Sequence, residues 1–121
     1  MATILVIENS ESLRKLYAQE LQRDGSTVLT VENATQGIAL MEAESVDLVV
    51  LDVRLPGMDG IEALYLIRET HPGMPVVLNT GYGKPFDGVM AEACVVKSSD
   101  LGKLRAKIVE LLPGRDCDRP L

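Results

Sequence analysis

The chain has 121 residues, 46% of them hydrophobic and 25% charged, which fits one globular domain and leaves no room for a second independent core. A formal net charge of −6 argues against a nucleic-acid surface, because binding to a phosphate backbone is driven by Lys and Arg. With aromatic residues at 3%, the core has to be built from Val, Leu, Ile, Ala and Met.

In chain order, the apolar run at residues 4–7 stops at Glu8 and Asn9 and reads as a buried strand. It is too short for a signal peptide and carries no basic flank, and no segment approaches the length of a membrane span. Ser10 or Ser12 can cap the helix that follows, which carries Leu13, Leu16, Tyr17 and Leu21 at helical spacing and stops at Asp24-Gly25. Residues 27–31 read as a second strand, and residues 34–44 as a second helix with Ile38, Leu40 and Met41. Residues 46–53 contain the most apolar run of the protein, as expected for a central strand of a parallel sheet covered on both faces.

A loop at residues 55–60 leads to a third helix marked by Ile61, Leu64, Leu66 and Ile67, which Pro72, Gly73 and Pro75 end. Residues 76–78 and 94–96 read as the fourth and fifth strands. Between them, the glycines and proline of residues 81–93 leave room only for a short or irregular fourth helix, placed at residues 87–93. The final helix presents Leu101, Leu104, Ile108 and Leu111 on one face, with Pro113-Gly114 closing it and Ser98 or Ser99 available as its cap. One domain over residues 1–114 is expected, followed by a disordered tail at residues 115–121. Cys94 and Cys117 have no metal-binding or redox spacing and read as reduced thiols of a cytoplasmic protein, with Cys94 half-buried in the last strand.

Strand and helix alternate about five times, which implies an α/β fold: a doubly wound parallel sheet with helices on both faces. Such sheets bind ligands beyond the carboxyl ends of their strands. The polar residues at those ends are Glu8 with Asn9, Asp52, Thr80 and Lys97. Each alone has an ordinary reading: a turn residue, a strand former or cap, a solvated charge. Their coincidence at successive strand ends points instead to phosphoryl chemistry. Asp52 would be the nucleophile or a metal ligand, Lys97 a fixed positive charge and Thr80 a hydroxyl donor. Glu8 and Asn9 would supply oxygen ligands for magnesium, which keeps several of its waters.

The run Asp52-Val53-Arg54-Leu55-Pro56-Gly57-Met58-Asp59-Gly60 follows the Asp-x-x-Leu-Pro-x-Met-Asp-Gly pattern throughout. On these residues the sequence resembles the receiver domains of two-component response regulators, and the resemblance runs over residues 4–112. It implies a five-stranded sheet in the flavodoxin-like order 2-1-3-4-5. It also implies a phosphoacceptor at Asp52, a switch hydroxyl at Thr80, a phosphate-binding lysine at Lys97 and a small residue, Gly81, that leaves the phosphoryl group accessible. Magnesium would be held by Glu8, Asn9, Asp52 and the backbone carbonyl of Arg54. Arg54 and Tyr82 occupy positions that tune loss of the phosphoryl group, and their bulk implies a long-lived aspartyl phosphate.

Four departures stand out. The acidic pair is Glu8-Asn9 rather than two carboxylates, so weak magnesium binding is expected. Cys94 stands where the family places an aromatic ring that changes rotamer with the threonine. Ser98 follows Lys97 where the family has a cis proline, and a non-proline cis bond costs roughly 2.5–4 kcal/mol, so a trans bond is expected. The segment between Thr80 and Lys97 is also shorter than usual.

The expected function is a phosphoacceptor signalling module and not an enzyme acting on a separate substrate. Its partners would be a histidine kinase or phosphotransfer protein and an unidentified downstream protein, with no direct nucleic-acid or membrane contact. The alternative is a pseudo-receiver, a phosphorylation-independent interaction domain. A phosphatase or a nucleotide- or flavin-binding protein on this fold is disfavoured, since the first helix begins Ser10-Glu11-Ser12 without a Gly-rich phosphate loop. Oligomeric state is not legible.

Overall fold

The computed structural model describes residues 2–52, 60–80, 93–96 and 101–112. The order of elements is β1 (Thr3–Ile7), α1 (Glu11–Arg23), β2 (Thr27–Val31), α2 (Ala34–Ala43), β3 (Leu48–Leu51), α3 (Gly60–Thr70), β4 (Val76–Thr80), β5 (Ala93–Val96) and α4 (Gly102–Leu111). The strands form one five-stranded sheet in the order β2-β1-β3-β4-β5. Every pairing is parallel, with Ile7 opposite both Val31 and Leu51, and Thr80 opposite Val96.

Alternation along the strands divides the interior into two cores, one on each face of the sheet. Ile4, Val6, Leu48, Val50 and Val77 face α1 and α4, where they pack with Tyr17, Leu21, Leu104 and Ile108. Leu5, Ile7, Val49, Leu51, Val76 and Leu78 face α2 and α3, where they meet Ala34, Met41, Leu64 and Ile67. Both faces of β1 and β3 are therefore apolar and buried, which is why these strands read as continuous hydrophobic runs.

Local chemistry sets the boundaries. Ser10 rather than Ser12 caps α1, its hydroxyl oxygen accepting from the Leu13 N–H at 3.3 Å. At the other end Gly25 takes φ +92°, the left-handed conformation that only glycine adopts without strain, and reverses the chain into β2. Asn33 caps α2 by accepting from the Gln36 N–H at 2.8 Å.

Several boundaries differ from the sequence expectation. β3 begins at Leu48 rather than residue 46, because the Asp47 carboxylate turns back to accept from the Thr3 N–H at 2.8 Å. β4 continues two residues past Leu78 to Thr80, since the polar side chain of Asn79 has a buried partner. Ala93, assigned by sequence to a short helix, belongs to β5. Neither Ser98 nor Ser99 occupies the cap of the last helix: Leu101 does, and its apolar side chain, which has no atom to accept a cap bond, packs in the core instead. The rest of the expected short helix, the loop at residues 55–59 and the tail at residues 115–121 lie outside the described residues.

Candidate functional site

In a sheet ordered β2-β1-β3, the chain leaves β1 toward one side and returns on the other, opening a crevice at the carboxyl ends of β1 and β3. Glu8 and Asp52 each stand one residue beyond the paired Ile7 and Leu51. The register therefore sets these two acids side by side at the mouth of the crevice. Both are buried, Glu8 at 3% and Asp52 at 5% exposure, unlike ordinary turn carboxylates.

The backbone holds them there. The Asp52 N–H donates to the Ile7 carbonyl at 3.0 Å, and the Glu8 N–H donates to the Val31 carbonyl at 3.0 Å, so each extends a sheet ladder by one bond. Glu8 is fixed further through its side chain, whose Oε2 accepts from the Ser10 N–H at 3.1 Å. Its carbonyl accepts from Arg14 Nη1 at 2.8 Å, and the same Nη1 reaches the Asn9 carbonyl at 2.9 Å.

Asn9 is exposed, so the two members of the expected metal-binding pair have different surroundings, with the charge buried and the amide at the surface. Thr80 is the last residue of β4 and Cys94 the second of β5, opposite Leu78. The strand ends that should carry the switch thus lie at the same edge of the sheet as Glu8 and Asp52. The Thr80 and Cys94 side chains, and Lys97, Gly81, Arg54 and Tyr82 altogether, lie outside the described residues.

The donor set fits a hard divalent cation. Two carboxylates from neighbouring strand ends offer oxygen ligands, and magnesium asks for few protein ligands because it retains water. Among the described residues no group of three or more His, Cys, Asp and Glu side chains gathers, so this part of the site supplies two charges and not three.

Two contributors have no counterpart in the sequence reading. Arg14 was legible only as a cation near the start of a helix, where the dipole disfavours it unless acceptors lie close by. The other is a buried bond from Asn79 Nδ2 to the Tyr17 hydroxyl at 2.9 Å, joining α1 to the residue before Thr80. Its only sequence signal was a polar residue inside an apolar strand.

An open parallel α/β sheet with paired acids at its carboxyl edge defines a class of domains that bind their ligands at that edge. Within it, the model of the response regulator receiver domain matches residues 4–109, and the chain belongs to that family. It is 36% identical over 90 residues to the transcriptional regulatory protein GlrR of Escherichia coli K12, a match covering 74% of this chain and 20% of that protein. The chain thus spans about a fifth of the length of that relative.

Among solved structures it is similar to the response regulator TrrA of Thermotoga maritima in complex with Mg2+ and beryllium fluoride. The TM-score is 0.88 at 31% identity, covering 93% of this chain and all (100%) of that one. TrrA in complex with the histidine kinase ThkA superposes with a TM-score of 0.85 at 32% identity, covering 93% of this chain and 99% of that one. Among the described residues no helix is long and apolar enough to cross a membrane.

Proposed function

We propose that this receiver domain is the phosphoacceptor of a two-component phosphorelay, with Asp52 taking a phosphoryl group from the phosphohistidine of a kinase or phosphotransfer protein. One observation carries the reading: Asp52 is a buried carboxylate at the end of a central strand, beside a second buried carboxylate. A carboxylate held in this way is costly as a structural device and apt as a nucleophile. The complexes of TrrA with Mg2+ and beryllium fluoride and with a histidine kinase support the same assignment.

In the transfer, a carboxylate oxygen of Asp52 forms a bond to phosphorus as the phosphorus–nitrogen bond to the donor imidazole breaks. The electron pair stays with the ring nitrogen, and an acyl phosphate results. Glu8 and Asp52, with the Arg54 carbonyl and the Asn9 amide as further candidates, would hold magnesium, which supplies charge neutralisation at the phosphoryl oxygens. Lys97 would supply the fixed positive charge, while Thr80 and the small Gly81 would face the phosphoryl group. The domain acts on no separate substrate; it assists only its own phosphorylation and its reversal.

The test is incubation with acetyl phosphate and millimolar magnesium, followed by intact-mass measurement of the wild type and Asp52→Asn. A phosphoryl adduct in the wild type that is absent from the variant supports the reading. No adduct in either protein refutes it and leaves the phosphorylation-independent interaction domain in its place.

A further inference from the structure

We propose that Arg14 is a positioning residue for the acidic loop, holding Glu8 and Asn9 in the arrangement that binds the divalent cation. The inference rests on the phosphoacceptor reading above.

The loop between β1 and α1 is three residues long, from Glu8 to Ser10. Its carbonyls would ordinarily face water or wait for a ligand. Instead a single guanidinium nitrogen of Arg14 donates to the Glu8 carbonyl at 2.8 Å and to the Asn9 carbonyl at 2.9 Å. One Nη carries two hydrogens, so both bonds can be made at once, and the group stays charged at every working pH. Arg14 is itself anchored, its N–H bonding the carbonyl of the capping residue Ser10 at 2.9 Å. Loop and first helical turn therefore close on one another: Ser10 starts the helix, the helix presents Arg14, and Arg14 fixes the successive carbonyls of Glu8 and Asn9.

The placement runs against simple electrostatics. Arg14 stands in the first turns of α1, where the helix dipole disfavours a cation, and close to a site expected to receive a second cation. Two effects on metal binding therefore have opposite signs. Repulsion between the guanidinium and the metal weakens binding, whereas fixing the loop removes the conformational cost of gathering its oxygen donors. Outer contacts that orient metal ligands commonly set affinity by an order of magnitude or more. The sign of the net effect depends on which is larger, and the proposal is that orientation dominates, so that Arg14 favours binding.

The sign decides the matter. Magnesium titrations of wild type, Arg14→Ala, Arg14→Gln and Arg14→Lys, followed by NMR shifts of the Glu8 and Asp52 amides, would give the four dissociation constants. Arg14→Ala should raise the constant about tenfold. Arg14→Gln, a neutral donor, and Arg14→Lys, a charged one, should both fall between it and the wild type. Melting temperatures measured alongside separate this from a general loss of fold; if Arg14→Ala does not fold, the Gln and Lys variants carry the comparison.

An unchanged constant, or one that falls when the charge is removed, overturns the proposal: the first means that Arg14 does not set the metal site, the second that its charge merely repels the metal. If the wild type neither binds magnesium nor forms an adduct at Asp52, the phosphoacceptor reading falls and takes this inference with it. If the wild type does both and the Arg14 variants match it, only the inference falls.

Discussion

Gly37→Ala tests how tightly the helical layer sits on the strand that delivers Glu8. Gly37 lies in the second turn of α2, its N–H bonded to the Asn33 carbonyl at 3.1 Å. A methyl group built there would come within 2.5 Å of Ile7 Cδ1, 2.9 Å of Ile7 Cγ1 and 3.5 Å of Val31 Cγ2. Carbon atoms pack at about 3.5–4.0 Å, so the end of Ile7 has to retreat by roughly an ångström. Ile7 is fully buried, at 0% exposure, and has little room to do so.

Overpacking of this kind costs about 1–3 kcal/mol. The better helix propensity of alanine offsets about 0.8–1 kcal/mol. The expected net destabilisation is therefore about 1 kcal/mol. With an unfolding entropy near 2.1 cal/mol/K per residue, the chain has ~0.25 kcal/mol/K in all, and the melting temperature should fall by about 4 °C. Urea unfolding monitored by circular dichroism measures the loss directly.

The same variant in an Ile7→Val background should be destabilised by less than the sum of the two single changes, because valine lacks the clashing Cδ1. Gly37→Ala at or above wild-type stability, or strict additivity in the double variant, would refute the packing argument. A site effect should accompany the loss, since the Ile7 carbonyl accepts the Asp52 N–H and Ile7 directly precedes Glu8.

Gly25→Ala meets no atom within 4 Å, so its cost should come from the backbone alone at φ +92°, about 1–2 kcal/mol, with Gly25→Asn milder; thermal melts compare the two. Tyr17→Phe and Asn79→Leu each leave one polar partner of a buried bond behind and should cost about 1–3 kcal/mol apiece. The double variant, with both polar groups gone, should recover part of that loss in urea titrations, and simple additivity would show that the bond is not the reason. Finally, the bulk at Arg54 and Tyr82, which only the family resemblance assigns to the tuning of phosphoryl loss, implies an aspartyl phosphate that outlasts minutes; loss of the adduct mass within seconds after removal of the phosphodonor would contradict that expectation.

The strands were legible because apolar runs and strand-end polar residues obey one rule: a strand buried on both faces stays apolar until it emerges at the functional edge; their order, 2-1-3-4-5, came from the family resemblance. Glu8 and Asp52 mark that emergence on β1 and β3, and both were readable for that reason. The rule failed where a polar residue stays inside. Asn79 looks like the end of β4 when only its neighbours are considered, and its partner Tyr17 is 62 positions away. Asp47 misled in the opposite sense, as its apolar neighbours extend the apparent strand while its carboxylate is bonded to Thr3. The choice between Ser10 and Ser12 was a matter of two helical residues, which spacing alone does not decide. Arg14 was passed over because its acceptors are backbone carbonyls, which no side-chain pattern reveals.

These bonds also bear on where a signal can travel. Glu8 is tied to β2 through its N–H, to α1 through Arg14 and to its own loop through Ser10, while Asp52 is tied to β1. β1 and β3 each have strands on both sides, so displacing either breaks two ladders at once. β5 pairs with β4 alone, so its displacement breaks one. The half of the site that would accept the phosphoryl group thus sits on doubly paired strands, as does β4, and movement is cheaper at β5, which is paired on one side only. The β4–β5 edge carries Thr80 and Cys94, the second of which lacks the ring that the family resemblance would assign to it. A phosphorylated state that altered β1 and β3 while leaving the β5 edge unchanged would run against the ladder arithmetic of this sheet.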